Sequence, residues 1–351
     1  MTPVVAATNF NKSNAISSLR REPFGVLTAW SMYFLRGDAT RTSGAVRVCC
    51  YWRRRGGATV NAVAVIAIQQ IRRMRGGAQS QLMLASDNNL YVVKFRNNPQ
   101  HVRVLANEWL ATRLAEAVGL AVPPAEVIEV SDWLIQHTKE LTMELRGGAQ
   151  RCQPGLHFAS RWVGGLMPGQ TVDYLPQEQL LEVRNLAEFA GILALDKWTC
   201  NINGRQAVFQ KHRRDRRYNA IFIDQGYCFH AGDWKFIDAH LGGVFAENTV
   251  YRGVTGWPSF EPWLSRIENL APETVWAIAE TIPPEWYGGE VSALELLVDR
   301  LLVRRGRVRE LIGGFGESAR RPFPNWGELG EKERRGEKRG GRVGDDRELG
   351  V

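Results

Sequence analysis

The feature that most constrains this chain is a change of apolar period near residue 100. Before it, residues 63–70, 81–85 and 90–95 are short runs rich in β-branched and apolar residues, the last two joined by Asp87-Asn88-Asn89, and they read as strands. After it, Val104, Leu105, Glu108, Leu110, Ala111, Leu114 and Val118 follow helical spacing, with Gly119 as the stop. Pro123 and Pro124 break the chain, and residues 125–130, 133–137 and near 156–162 return to strand composition. From Pro176 the spacing is helical through Leu180, Leu181, Leu186, Phe189, Ile192 and Leu193. A strand pair follows near 207–209 and 220–223. Further helices are opened by Pro272 and capped by Ser292, the last ending near Gly313 and Gly314. The expected class is α+β: a β-rich half with one helix, then a mostly helical half, with a cleft between them as the favoured ligand site.

Residues 1–62 hold no period and read as a poorly ordered extension, or as sequence upstream of the true start. Residues 316–351 alternate Gly, Glu, Arg and Lys and bury too little apolar area to order, so they read as a disordered charged tail. The folded part is expected over 63–315, divided near 160 and 161.

Hydrophobic residues make up 44% of the chain and charged residues 23%, enough for a sizeable core. The net charge of +8 raises the question of nucleic acid. The basic residues gather at Arg53 to Arg55, at Arg213, Arg214, Arg216 and Arg217, and in the tail, where solvation is the ordinary explanation. Direct nucleic-acid binding is therefore not expected. Cys49, Cys50, Cys152, Cys200 and Cys228 form no C-x-x-C pair, which argues against a zinc knuckle or a disulfide framework and for a reducing, cytoplasmic setting. No apolar stretch is long enough to span a membrane, and no signal peptide opens the chain.

Five polar features occur in an order that suits phosphoryl transfer, which needs a phosphate cradle, a cation, metal ligands and a group to orient the nucleophile. Arg-Gly-Gly-Ala appears at 55–58, 75–78 and 146–149. Only the second copy precedes a strand that ends in a lysine, so Gly76, Gly77, Ala78, Gln79 and Ser80 are the candidate phosphate turn. Lys94, in Tyr-Val-Val-Lys-Phe, alternates with Val93 and Phe95 and points to the other strand face. Glu108 lies near the apolar side of the next helix and calls for a cation. Asp196 and Asn201 have the D-x-x-x-x-N spacing of a catalytic loop, and Asp224 ends an apolar strand in Asp-Gln-Gly. Each feature alone has an ordinary explanation: a hairpin turn, a surface lysine, a solvated glutamate, a helix-end cap, a turn after a strand.

In combination these stretches resemble the HipA-like kinases, within the protein-kinase and phosphatidylinositol-kinase superfamily. The likeness is carried by Met-Arg-Gly-Gly-Ala-Gln, Tyr-Val-Val-Lys-Phe-Arg-Asn-Asn-Pro-Gln-His and Asn-Glu-Trp-Leu-Ala, then by 196–206, 223–229, 257–268 and Pro283 to Tyr287. The resemblance implies a bilobal protein-kinase-like fold and a serine/threonine-type phosphotransferase using ATP and Mg²⁺. It implies Lys94 on the α- and β-phosphates, oriented by Glu108, with Asp196 as base and Asn201 and Asp224 on the metal. Adenine is expected near 157–161. Two departures stand out: no His-Arg precedes Asp196, and Lys197 follows it. They leave a small-molecule or lipid kinase, and a nucleotide-binding pseudokinase scaffold, as alternatives. The phosphate acceptor is a protein or a small molecule of unknown identity.

Overall fold

The computed structural model describes residues 41–42, 45–53, 59–165, 167 and 169–327, with side chains from Ala64 onward. Its first half is a sheet of seven strands. They are β1 (Arg41–Thr42), β2 (Ala45–Arg53), β3 (Thr59–Arg73), β4 (Gln81–Ala85) and β5 (Leu90–Lys94), then β6 (Ala125–Val130) after helix α1 (Val104–Ala117). Helix α2 (Asp132–His137) and the hairpin β7 (Thr142–Leu145) and β8 (Gly148–Arg151) precede the last sheet strand, β9 (Gly155–Arg161).

β6 pairs antiparallel with β9 and parallel with β3, so β3, β4, β5, β9 and β6 close into a ring. β3 is long enough to pair with β2 along its first half and with β4 along its second. Its register slips at Ile68 and Ile71, the two bulged residues, and both side chains turn out to solvent.

Strand alternation feeds two apolar cores. Met83, Val93, Phe95, Ile128 and Ala159 pack with Leu134 and Ile135 of α2 and Met143 of β7. Val127, Leu156 and Phe158 face the other way, onto α1 and the helices that follow. Those helices are α3 (Gln177–Leu181), α4 (Glu188–Trp198), α5 (Trp263–Asn269), α6 (Pro272–Ala279), α7 (Val291–Arg304) and α8 (Val308–Gly316). A small sheet accompanies them, in which β10 (Thr171–Val172) pairs with β11 (Gln206–Gln210) and β11 with β12 (Asn219–Ile223).

Four expectations change. Residues 133–137 lie in a helix, because Ser131 Oγ accepts from Leu134 N at 3.1 Å and starts a turn that competes with extension. The helix expected from Pro176 is two, α3 and α4. Between them Asn185 bonds both backbone groups of Ala220, at 2.8 and 2.9 Å, and so ties the connector to β12. The boundary at 62 and 63 falls inside β3, whose first residues pair with β2; residues 1–40 lie outside the described part. The boundary at 316 is also too early. Phe323 packs on Tyr251, Phe260 and Phe315 at ring distances of 6.0, 5.9 and 5.7 Å, while residues 328–351 lie outside the described part.

His157, fully buried on β9, gives the fold a pH dependence. Its Nδ1 accepts from Arg96 N at 3.2 Å and its Nε2 donates to Gln153 O at 2.9 Å. Burial, and then the nearby Arg96 charge, push its pKa down to about 3. In the unfolded chain this imidazole takes a proton near pH 6.5, as an unperturbed histidine does. Between those values the unfolded state binds more protons, so stability falls as pH falls through that window. The expected loss through this group is about 3 kcal/mol between pH 6.5 and 4. Urea midpoints of His157→Gln, whose amide keeps one donor and one acceptor, should then fall less steeply over that range. Equal slopes in the two proteins would assign the acid limb to other groups.

Candidate active site

β5 puts Val93 and Phe95 into one core and Lys94 on the opposite face, under α1. The Lys94 ammonium is bonded to Glu108 Oε1 and, at 2.7 Å, to Asp224 Oδ1. Glu108 comes from α1, where it is buried among Leu105, Ala111 and their neighbours, and its second oxygen accepts from Gln225 N at 3.1 Å. Asp224 follows β12 with φ of +64°, a left-handed turn that swings its carboxylate onto Lys94. Gly226 is needed two residues on: a Cβ there would meet Val104 Cγ2 at 2.7 Å and Glu108 Oε1 at 3.1 Å.

Electrostatically, one cation serves two carboxylates in a nearly dry place. Burial opposes the charge on Lys94, but Glu108 and Asp224 outweigh it and hold the ammonium pKa above its ordinary value. Burial raises Glu108, against the pull of Lys94 and with the push of Asp224. Burial also works against Asp224, yet Lys94 overcomes it and leaves this carboxyl below its ordinary range. Asp224 is the most open of the three, its side chain 20% exposed, and its second oxygen accepts from Gln206 Nε2 at 2.8 Å.

Asp196 is more enclosed than Asp224. It lies in the last turn of α4, 1% exposed, with both oxygens occupied. Arg205 Nε donates to Oδ2 at 2.8 Å and Arg205 Nη2 to Oδ1, which also accepts from Asn201 Nδ2 at 3.0 Å. A general base needs an oxygen within reach of the hydroxyl it serves. Both Asp196 oxygens are engaged by Arg205 and Asn201, as both Asp224 oxygens are by Lys94 and Gln206, so the carboxylate is half of a buried ion pair and these contacts do not by themselves decide whether it also serves as the base. Asn201 accepts from Asn203 N at 3.0 Å through its oxygen and donates to Asp196 through its nitrogen, which sets its side chain beside that carboxylate. The chain packs closely over this pair: Gly243, with φ of +70°, sits where a Cβ would be 2.3 Å from Asp196 Cβ.

Arg205 and Gln206 are the residues that sequence reasoning missed. Both lie within the matching stretch, but their roles depend on strand pairing. Arg205 also donates to Ile223 O at 2.8 Å and Gln225 Oε1 at 2.7 Å, and so brackets Asp224. The pairing of Gln206 with Ile223 brings its amide to that same carboxylate. The signal available in the sequence was an arginine nine residues after a buried aspartate, which spacing alone does not pair.

The glycine turn touches none of these groups directly. Gly76 has φ of +119°, and Asn98 Nδ2 holds Ala78 O at 3.2 Å, on the connector leading into α1. Gln79 is not free to meet a phosphate, since its amide bonds Glu144 O and Glu144 N, both at 2.8 Å. Ser80 is buried, which leaves the backbone of Gly76, Gly77 and Ala78 as the usable part. Of the other copies, 146–149 forms the tip of the β7–β8 hairpin and 55–58 lies outside the described residues. Residues 157–161, expected near adenine, lie in the sheet strand β9, and residues 162–165, without regular structure, follow it.

Solved kinases align over much of the chain at low similarity. The Golgi casein kinase with Mn/ADP bound is 12% identical over 72% of this chain and 74% of its own, with a TM-score of 0.39. The Helicobacter pylori proinflammatory kinase CtkA is 10% identical over 66% of this chain and 94% of its own, also with a TM-score of 0.39. Hydra Fam20 with sugar is 11% identical over 80% and 85%, with a TM-score of 0.29. No curated protein matches. The family model described as HipA-like kinase matches residues 66–300, a stretch that takes in Lys94, Glu108, Arg205, Gln206 and Asp224, and the chain accordingly belongs to that family of phosphotransferases.

Proposed function

We propose that this kinase transfers the γ-phosphate of ATP to a hydroxyl, as a Mg²⁺-dependent serine/threonine-type protein kinase. The observation that carries the reading is the buried contact of Lys94 with both Glu108 and Asp224. It joins a strand, a helix and the turn after a second strand, in the combination that phosphoryl transfer uses. The cleft is taken to lie between a strand-rich lobe ending near residue 160 and a helical lobe beyond it, with Lys94 reaching the phosphates from the first.

Mg²⁺ fits the residues present. It prefers oxygen ligands and is held through one or two carboxylates together with substrate phosphates. Asp224 supplies an ionised, partly open carboxylate, and the Gln206 amide beside it adds an oxygen. When bound, the ion neutralises charge developing on the phosphates. Lys94 holds the phosphates by charge, and Glu108 keeps that ammonium in place. The glycine turn covers the phosphates through backbone N–H groups alone. In this reading Asp196 serves the acceptor hydroxyl as base and Asn201 joins Asp224 on the metal, while Arg205 positions Asp224 from behind through the carbonyl of Ile223 and the side chain of Gln225. A loose phosphoryl transition state asks little of a base, so a sealed Asp196 is compatible with transfer. Among the described side chains, the thiols of Cys152, Cys200 and Cys228 are buried and free, which suits a reducing cytoplasm.

The sealed Asp196 also favours a second reading, nucleotide binding without transfer. Mg²⁺-dependent transfer of labelled γ-phosphate from ATP decides between them. Labelled protein, lost in Asp224→Asn, supports the protein kinase. Turnover of ATP without labelled protein would move the acceptor to a small molecule. Binding without turnover would leave a scaffold, and no ATP binding would end the proposal.

A further inference from the structure

We propose that Asn107 is a positioning residue for Asp224, acting through the backbone that follows it; the link to metal rests on the function proposed above. Asn107 is fully buried on α1, immediately before Glu108. Its Nδ2 lies 2.9 Å from Gly226 O, 2.9 Å from Cys228 O and 2.8 Å from Ala231 O. An amide nitrogen has two hydrogens, so three carbonyls converge on two donors. Its Oδ1 accepts from Trp234 Nε1 at 2.7 Å. One side chain thus holds four residues of the segment that begins at Asp224.

That segment needs holding. Asp224, Phe229, His230, Ala231 and Trp234 have φ of +64°, +58°, +59°, +56° and +53°, a region that residues other than glycine occupy at a cost. Such a backbone persists only where its surroundings over-determine it. Backbone carbonyls of Thr199 and Cys200 accept from Phe229 N and His230 N at 2.6 and 3.1 Å, and among the described side chains Asn107 makes the most bonds to the segment. Two neighbours assist: His101 Nε2 is 2.9 Å from Gly226 O, and Arg103 donates to Gly232 O at 3.1 Å with its guanidinium 4.2 Å from the Trp234 ring.

The consequence follows from adjacency. Glu108 takes Gln225 N and Lys94, while Asn107 takes the carbonyls from Gly226 onward. Two successive residues of one helix therefore grip the chain on both sides of the Gln225–Gly226 link, one by charge and one by a neutral amide. Without the Asn107 contacts the backbone after Asp224 relaxes out of the left-handed region, and the carboxylate loses its alignment with Lys94 and Gln206. A carboxylate in place of the amide turns donors into acceptors at the same volume, facing three carbonyl oxygens.

Asn107→Asp is the test, with Leu301→Ala, a core change in α7, as a reference for general loss of stability. Three readouts on the full chain separate the possibilities: thermal midpoint, hydrogen exchange without ligand, and the Mg²⁺ concentration that half-saturates binding of a fluorescent ATP analogue. In Asn107→Asp, exchange should quicken across 226–234 while the β3–β4 and β5–β9 amides stay protected. The Mg²⁺ half-saturation should rise about tenfold, the order seen when groups supporting a metal ligand are removed. Affinity for the metal-free analogue should hold. Leu301→Ala should lower the midpoint without either change. If Asn107→Asp lowers the midpoint but leaves 226–234 protected and the Mg²⁺ dependence intact, Asn107 is structural and the proposal is wrong. If the wild type binds no nucleotide, the kinase reading fails separately, and the exchange pattern still decides the clamp. Trp234→Phe, which removes the N–H bonded to Asn107 Oδ1 and keeps a ring under Arg103, should show the same pattern more weakly, and it decides the matter should Asn107→Asp not fold.

Discussion

Asp196→Ala will lower the stability of the protein by about 3–5 kcal/mol, the loss typical when one partner of a buried ion pair is removed. The reason lies in Arg205, whose side chain is wholly buried and whose guanidinium has Asp196 as its carboxylate partner. Remove that carboxylate and a positive charge remains with only neutral acceptors, Ile223 O and Gln225 Oε1, around it. The same argument predicts a rescue. Asp196→Ala combined with Arg205→Met takes both charges out of the interior and fills most of the volume, so it should recover most of the loss. Chemical unfolding of the wild type, both single variants and the double variant measures this as a coupling between the two positions. If the ion pair contributed little to the fold, Asp196→Ala would unfold at the wild-type midpoint, and transfer by the folded double variant reports the base role separately. An unchanged midpoint would overturn the structural role of the pair.

Asp224→Asn should act oppositely, with little effect on the fold and a loss of phosphoryl transfer of at least about 10²-fold. The substitution is isosteric, and Lys94 keeps Glu108 as a partner, so no charge is stranded. What disappears is the ionised oxygen pair beside Gln206. Lys94 holds Asp224 below the ordinary carboxyl pKa, so the wild-type carboxylate stays charged through the neutral range, and raising the pH will not restore the variant. Transfer assays at fixed ATP and increasing Mg²⁺, beside unfolding curves, separate lost cation binding from lost structure. Wild-type transfer by Asp224→Asn would place the metal elsewhere.

Much of the site was legible because it depends on local pattern. The alternation around Lys94 put it opposite Val93 and Phe95, and the helical spacing placed Glu108 near the apolar side, where an acid needs a cation. Asp224 stood out because an apolar strand ends in Asp-Gln-Gly, and the three side chains do meet. Asp196 and Asn201 are harder to read for a related reason. The D-x-x-x-x-N spacing describes a helix end folded back on itself as well as it describes a catalytic loop, and here Asn201 bonds Asp196 directly. Trp133 to His137 went astray through composition, since apolar and aromatic residues suit a strand until the Ser131 cap is counted.

What the sequence by itself determined is the succession of elements and the chemical kind of each site residue, because period, capping and turn chemistry act over a few residues. It also determined the family, through stretches long enough to match as units. Only the tertiary structure decided which charges are partners. Lys94 meets Asp224 across 130 residues, Asn107 grips Ala231 across 124, and Arg205 takes Asp196 after the chain has turned out of α4 and reached the residue before β11. Such pairings depend on which groups lose water together, and a buried charge settles on the partner that packing brings within hydrogen-bond reach, whatever its distance along the chain.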